Sequence, residues 1–233
     1  MNEKRITVPT EAVPIFDRDF YGSPHRAMRI GDGAIGGKAA GLAFVEEALS
    51  RFSSDTPVAG VEIHIPRFVV LGADLFDRFM DRNGLRVLDF DDMTDERIAH
   101  RFQQAALPAE DVGSLRALIA AVHTPLAVRS SSRLEDAMYE PFAGVYATKM
   151  IPNNQHDVDS RFRKLVEAIK FCYASTFFRG AREYVALTGR SPAEEKMALI
   201  IQEVIGQRHG DRFYPHLSGV ARSYNYYPVG RSR

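Results

Sequence analysis

Residues 126–136 read Leu-Ala-Val-Arg-Ser-Ser-Ser-Arg-Leu-Glu-Asp, and this stretch decides the fold. Its apolar start predicts a short strand that ends at Arg129, and three serines and an acidic pair follow. A guanidinium at a strand end binds phosphate oxygens with two parallel hydrogen bonds. Ser130, Ser131 and Ser132 would add hydroxyl and N–H donors beside it. The alternative is a solvated serine loop closed by an ion pair between Arg129 and Asp136.

A second candidate anion site lies in residues 31–42, Gly-Asp-Gly-Ala-Ile-Gly-Gly-Lys-Ala-Ala-Gly-Leu. The glycines run directly into a helical pattern, and a helix N-terminus presents backbone N–H groups and a partial positive charge. Lys38 would bring an ammonium to the same place. Together with Arg129, this element predicts one nucleotide site assembled from two distant parts of the chain.

The spacing of the glycine stretch is similar to that of two better-known nucleotide-binding motifs. Residues 31–36 satisfy the G-x-G-x-x-G spacing of dinucleotide-binding folds, which also require a strand before the glycines and an acidic residue after a second parallel strand. Ala27–Ile30 is a poor strand candidate, and the apolar run after the helix ends at Pro66 without an acid. The P-loop spacing fails because Ala39 stands where a metal-binding hydroxyl is needed. Both alternatives are therefore disfavoured.

Hydrophobic periodicity predicts a chain of alternating helices and short strands. The predicted helices lie at 38–51, 74–82, 95–106, around 112–122, at 158–173 and at 178–188. The predicted strands follow Thr124-Pro125 and lie at 68–71, 142–150 and 197–205. Thr94 is the expected cap of the third helix. Cys172 falls on an apolar helix stripe and is expected in the core.

Several motifs resemble, in their order along the chain, the ATP-binding N-terminal domain of one enzyme family. They are residues 36–42, 65–70, 127–132 with Glu135 and Asp136, 142–144, 197–202 and 218–220. The family is the dikinases, which include phosphoenolpyruvate synthase, pyruvate phosphate dikinase and rifampicin phosphotransferase. An ordered set of motifs is far more specific than any one of them.

The resemblance implies an α+β, ATP-grasp-like nucleotide-binding domain with two lobes. Lobe one is expected at about 31–125 and lobe two at about 126–233, after an extended N-terminal arm over residues 1–30. The family's magnesium ligands lie beyond the Ser-Gly-Val strand at 218–220. The domain is therefore expected to be incomplete at its C-terminal end, with no metal ligand assigned in this sequence.

The resemblance also implies roles for individual residues. Lys38 and Arg129 would hold the phosphates of ATP and act in catalysis, while Gly144 and Thr148 would line the loop and strand that fold over them. The alternative for Thr148 is an ordinary strand residue.

Adenine would lie against the strand that links the lobes. The matching positions are Gln202 and the backbone of Glu203 to Ile205, where a mostly apolar slot with a few polar edges suits a purine. The alternative is a core strand whose Gln202 and Glu203 lie at its solvated end.

The family transfers the β-phosphoryl group of ATP to a histidine on a separate swivelling domain, with magnesium neutralising the polyphosphate. No phosphoacceptor histidine is assigned here, and the phosphohistidine and pyruvate-binding domains are expected elsewhere, so this chain alone would not complete the reaction. The resemblance thus implies the ATP-binding portion of a pyruvate, water dikinase. The alternatives are a phosphotransferase with another acceptor, such as an antibiotic, and a non-catalytic nucleotide sensor.

Composition predicts a protein without a nucleic-acid or membrane partner. The chain has 30 Lys and Arg residues against 30 Asp and Glu residues, so no net charge attracts polyanions. No apolar run approaches the length of a membrane span, and the polar start lacks a signal-peptide core. The single cysteine, Cys172, fits a reducing compartment, and a cytoplasmic location is expected.

Overall fold

The computed structural model describes residues 12–52, 63–132, 144–187 and 196–220. Glu135, Asp136, Phe142 and Ala143 of the quoted motifs lie outside these ranges, and so does the alternative ion pair between Arg129 and Asp136. Within them, no helix reaches the length and apolarity that crossing a bilayer requires.

Five short strands form one mixed sheet. In chain order they are β1 (Ala27–Ile30), β2 (Phe68–Leu71), β3 (Leu126–Ser132), β4 (Thr148–Ile151) and β5 (Met197–Glu203). Their order across the sheet is β1-β2-β5-β3-β4. β1 and β2 are parallel, whereas β5 is antiparallel to β2 and β3, and β4 is antiparallel to β3. A separate hairpin, not predicted from the sequence, pairs β6 (Gln207–His209) with β7 (Arg212–Tyr214).

The predicted helices are confirmed with small changes at their ends. They are α1 (Gly36–Phe52), α2 (Ala73–Arg82), α3 (Asp95–Gln104), α4 (Ala109–Ala121), α5 (Val158–Ala174) and α6 (Arg179–Leu187). Thr94 caps α3, since its hydroxyl accepts a bond from the Arg97 N–H at 3.4 Å. Asp157 caps α5 in the same way through the Ser160 N–H at 2.7 Å. Helices and a mixed sheet together confirm the α+β class.

The two faces of the sheet are covered unequally. On one side, which we call the helix-rich face, the sheet packs into a core shared with α2, α3, α4, α5 and α6. On the other side, the α1 face, Val70 and Ile200 pack against Ile35 and Ala39 at the start of α1. Since successive strand residues point to opposite faces, the register assigns each strand residue to one face or the other.

Cys172 lies in the core, as predicted. It is fully buried on the helix-rich face, and its thiol donates to the Val128 carbonyl at 3.4 Å. Burial raises the pKa of this thiol to about 12. A thiol so far from ionising is a packing group, because the reactive form of cysteine is the thiolate.

Ala27–Ile30 forms a strand, so the expectation of a poor strand inside an extended arm was wrong at these residues. The strand pairs in parallel with β2, and three of its four residues are buried. Upstream residues extend the pairing, since the Arg29 N–H donates to Pro14 O at 2.8 Å and the Phe16 N–H donates to Arg29 O at 2.7 Å. Propensity missed the strand because long-range pairing and burial stabilise it.

The serines after Arg129 belong to β3, so the strand does not end at Arg129 as predicted, and the alternative of a solvated serine loop is wrong. Ser130, Ser131 and Ser132 pair with Leu199, Ala198 and Met197 of β5 and are almost completely buried. β5 provides a hydrogen-bonding partner along the whole length of β3. The backbone groups of the serines therefore belong to the sheet.

Three further strands differ from the predictions. β4 begins at Thr148 and β5 ends at Glu203, and residues 218–220 contain no strand. Strands from both sides of residue 125 share one sheet, so the predicted lobe boundary is not a boundary between sheets. The division of the chain into two lobes near residue 125 stays a prediction.

Gly36 provides a test of the close approach between α1 and β3. Its φ is 72°, and a Cβ there would overlap the carbonyl oxygen of Ser131. Gly36→Ala should therefore lower the free energy of unfolding by at least about 2 kcal/mol. Gly41→Ala, in the same helix with no atom within 4 Å of its Cβ position, should raise it by about 0.4–1 kcal/mol. Urea unfolding compares the two, and a Gly36→Ala protein as stable as wild type would contradict the contact.

Candidate functional site

Three of the predicted site residues project from the α1 face of the sheet. Arg129 pairs with Ile200 on one side and with Thr148 on the other, and Ile200 packs on the α1 face. Gln202 lies two residues beyond Ile200 in β5 and therefore shares its face. Arg129, Thr148 and Gln202 thus form one surface across β4, β3 and β5.

Ser131 attaches the start of α1 to this face. Its hydroxyl accepts a bond from the Ala39 N–H at 3.1 Å and donates to the Ile35 carbonyl at 2.9 Å. Ile35, the residue before α1, has no polar side chain with which to cap the helix. Ser131, 92 residues from Ala39 in the chain, supplies the acceptor that an N-cap residue ordinarily provides.

This attachment brings Lys38 to β3. Its ammonium donates to the backbone carbonyl of Ser130 at 3.3 Å, directly after Arg129 in the strand. Both cations are half-buried. The structure therefore brings together the two cations that the sequence places 91 residues apart.

Arg129 is held by a neutral group. Its Nη1 donates to Gln202 Oε1 at 3.3 Å, and no carboxylate in the ranges that the structure describes forms an ion pair with it. A neutral amide orients a guanidinium without cancelling its charge. The α1 face thus carries a half-buried positive charge suited to an anionic ligand.

Gly144 and Thr148 lie at the edge of this surface. Thr148 is exposed and opposite Arg129 in the register. Gly144 lies in the turn before β4 with a φ of 82°, and a Cβ there would meet open space. The backbone conformation of the turn, rather than a close neighbour, accounts for the glycine.

Glu203 points away from the other predicted site residues. It follows Gln202 in β5, and its carboxylate lies on the helix-rich side, where it accepts bonds from the Tyr21 hydroxyl and from Thr124 Oγ1, the latter at 3.1 Å. Its backbone N–H donates to the Arg67 carbonyl at 3.0 Å. Among residues 202 and 203, only Gln202 offers its side chain to the α1 face.

The contact between Tyr21 and Glu203 was not predicted from the sequence. Arg67 holds the loop around Tyr21 by donating from Nη1 to the carbonyls of Phe20 at 2.9 Å and His25 at 3.0 Å. Burial, then the neighbouring Glu203 carboxylate, raises the pKa of Tyr21. Because 182 residues separate Tyr21 from Glu203, no local pattern signals their contact. The N-terminal segment is thereby fastened beside the end of β5.

The glycine-rich turn lies within a strand–helix–strand unit made by β1, α1 and the parallel β2. The strand that the sequence argument found missing is therefore present. The Asp32 N–H donates to Asp74 Oδ1 at 2.7 Å, however, and a Cβ on Gly72 would overlap the Asp32 carbonyl. A carboxylate and a packed backbone close the turn, which argues against a pyrophosphate in the dinucleotide-binding manner.

The described residues of this face do not form a magnesium site. In the described ranges, no three His, Cys, Asp or Glu side chains form a group that could hold a metal ion. Glu203 is the only carboxylate among the predicted site residues, and it is engaged on the opposite face. We therefore assign no catalytic step to a metal ion.

The candidate site lies on the sheet, where β3, β4 and β5 face α1. Two concavities of about 710 and 780 Å³ lie elsewhere, one between the start of α3 and α6 and the other between β4 and α5. Neither is lined by Lys38 or Arg129.

Comparison with protein families identifies a family to which this sequence is similar. The sequence matches the family model for the pyruvate phosphate dikinase AMP/ATP-binding domain over residues 32–232. All seven predicted site residues fall within this range. A comparison with curated proteins found no match.

Ser131→Ala tests the attachment of α1. The change leaves the buried Ala39 N–H and Ile35 carbonyl without their partner, which should lower the free energy of unfolding by about 1–3 kcal/mol. Ser50→Ala is the matched control, since Ser50 is exposed in α1 and its hydroxyl donates to the Glu47 carbonyl of the same helix. It should change stability by less than about 0.5 kcal/mol. Equal losses in urea unfolding would show that Ser131 does not secure the helix.

Tyr21→Phe tests the bond to Glu203 through pH. The pKa of Tyr21 is raised in the folded protein, so the fold retains a proton that the unfolded chain releases near pH about 10. This contribution to stability is present below that pH and lost above it. The free energy of unfolding should fall more steeply from about pH 9 to 11 in wild type than in Tyr21→Phe. Tyr214→Phe, at an exposed position, should keep the wild-type dependence of unfolding free energy on pH. If Tyr214→Phe lost this dependence and Tyr21→Phe kept it, the prediction for Tyr21 would be contradicted.

Proposed function

Since this chain belongs to the pyruvate phosphate dikinase AMP/ATP-binding domain family, we propose that the α1 face is its ATP site. The chain is the ATP-binding part of an enzyme of a phosphotransferase family. In the proposal, Lys38 and Arg129 hold the phosphates, and adenine lies near Gln202 and Ile205. The phosphoryl group then passes to a histidine on a separate domain, as in a pyruvate, water dikinase.

The charge of Arg129 is the observation that carries the proposal. Within the described ranges this half-buried guanidinium bonds to a neutral amide and pairs with no carboxylate. Partial burial limits screening by water, so such a group strongly attracts an anion. Its bond to Gln202 Oε1 uses one of its five N–H donors. The planar fork is suited to two bonds with a phosphate.

Lys38 supports a phosphate site at the same place. The Ser130 carbonyl orients its ammonium toward the strand that carries Arg129. Two cations at one site stabilise a polyphosphate more than either alone. Such preorganised charge is the main contribution a protein makes to phosphoryl transfer.

The end of β5 suits the purine ring. The N–H groups of Glu203 and Val204 already donate to the carbonyls of Arg67 and Pro125, so adenine would bond to carbonyl groups here or to the Ile205 N–H. Ile205 is 60% exposed just beyond the strand. An exposed isoleucine offers apolar area to a ring, as in most purine sites.

Calorimetric titration of the chain with ATP in magnesium-containing buffer tests the assignment. Lys38→Ala and Arg129→Ala should each weaken binding about tenfold or more, since a hydrogen bond to a charged group contributes about 1.5–3 kcal/mol. Arg129→Lys keeps the charge but loses the fork, so its affinity should fall between those of wild type and Arg129→Ala.

Two exposed cations serve as matched controls. Lys164 pairs with Glu167 and Arg179 with Glu183, and their alanine variants should bind ATP as wild type does. Thermal unfolding of every variant separates loss of the site from loss of the fold. Wild-type affinity in folded Lys38→Ala and Arg129→Ala proteins would refute the site.

A further inference from the structure

A groove of about 780 Å³ runs between β4 and the outer side of α5. One wall is the chain at 149–152, and the other includes Phe162, Val166 and Phe171 of α5. The groove is separate from the surface formed by Arg129 and Gln202. Its walls combine a strand edge with apolar side chains.

β4 is the end strand of the sheet. It pairs with β3 on one side, and no strand in the ranges that the structure describes pairs with its other side. Backbone N–H and carbonyl groups along such an edge point outward and accept a further strand. Thr148, Lys149 and Met150 are exposed, Met150 to 63%, so the edge is accessible along most of its length.

Three cations line the groove, and among the residues that the structure describes each of them contacts an uncharged group. The Lys149 ammonium lies 4.8 Å from the centroid of the Phe171 ring. Arg163 donates to Ser160 Oγ at 2.9 Å, and Lys170 donates to the Gln103 carbonyl at 3.0 Å. None of these three partners is an anion.

The remaining charges along the groove cancel. Lys164 pairs with Glu167 at 2.8 Å, which leaves the other three cations in excess. The whole chain has a formal net charge of zero. A local excess in a neutral protein marks a place where an anionic partner is attracted.

We propose that this groove docks an extended acidic peptide segment of a partner protein, which adds to β4 as a further strand. An edge strand beside a helix is the geometry in which strand addition takes place: the backbone supplies affinity and pockets for alternate side chains supply specificity. Alternate residues of the added strand would face α5, where acidic side chains meet the three cations and apolar ones meet Phe162 and Val166.

A single-stranded nucleic acid is the competing occupant, because its phosphates would also be attracted. It would make no use of the β4 backbone, however. The apolar wall and the open strand edge together favour a peptide. The two occupants predict different results in a direct test.

The probe is a labelled peptide, Glu-Thr-Val-Thr-Glu-Thr-Val-Thr-Glu, with blocked ends, in which glutamate and valine share one side of a strand. Fluorescence anisotropy with the full chain at low salt should show saturable binding. Binding should weaken at least tenfold when alternate peptide nitrogens are methylated, because methylation removes the strand hydrogen bonds and keeps the charge. A peptide with lysine in place of glutamate should not bind.

Charge reversal on the protein locates the site. Lys149→Glu and Arg163→Glu, both at exposed positions, should each weaken binding of the peptide at least tenfold. Arg51→Glu and Arg179→Glu are the controls, since these cations pair with carboxylates elsewhere, and they should bind as wild type does. Amide hydrogen exchange at 148–151 should slow when the peptide is bound.

Three results would overturn the proposal. They are absence of acidic-peptide binding to the folded wild-type chain, equal binding of the methylated peptide, and displacement of the peptide by an oligothymidylate that binds more tightly. The last result would assign the groove to nucleic acid. Thermal unfolding of each charge-reversal variant confirms that any loss of binding occurs in folded protein.

Discussion

The candidate site depends on the contact between Ser131 and the first turn of α1. One hydroxyl both donates and accepts there, so it satisfies two buried backbone groups of Ile35 and Ala39. Gly36 allows the helix to approach this closely because a side chain at that position would overlap the strand. Lys38 and Arg129 come together because this junction joins their two elements. A larger residue at either position would separate the charges.

Because successive side chains of β5 point to opposite faces of the sheet, its neighbouring residues have different functions. Gln202 faces the α1 side, where its amide orients Arg129, while Glu203 faces the helix-rich side, where its carboxylate binds Tyr21 and Thr124. Adjacent residues therefore serve the candidate site and the anchoring of the N-terminal segment. A shift of β5 by one residue would exchange these roles, so the register of β5 with β2 and β3 is a condition for the site.

The sequence predicted the parts that carry their own periodicity or caps. Strand β2 and the helices followed from local patterns such as Thr94 before α3, because apolar spacing and capping are local effects. Strand β1 and the inclusion of the serines in β3 were not predicted, since pairing with distant strands stabilises them. The same reason explains Tyr21 and the capping role of Ser131, whose partners are far away in the chain. Lys38 and Arg129 were paired by chemistry and by family resemblance, and no local rule required them to be near each other.

The glycine-rich turn shows why motif spacing alone is a weak argument about ligands. Residues 31–36 have the spacing of a dinucleotide fingerprint, and the strand, helix and parallel strand around them are all present. Ala27–Ile30 was expected to be a poor strand, and this expectation, which disfavoured that fold, was wrong. The stronger reason is electrostatic: Asp74 places a carboxylate on the turn N–H of Asp32, where a pyrophosphate would need a free donor. The proposed anion site is therefore one turn further on, where the Lys38 ammonium bonds to the Ser130 carbonyl of β3.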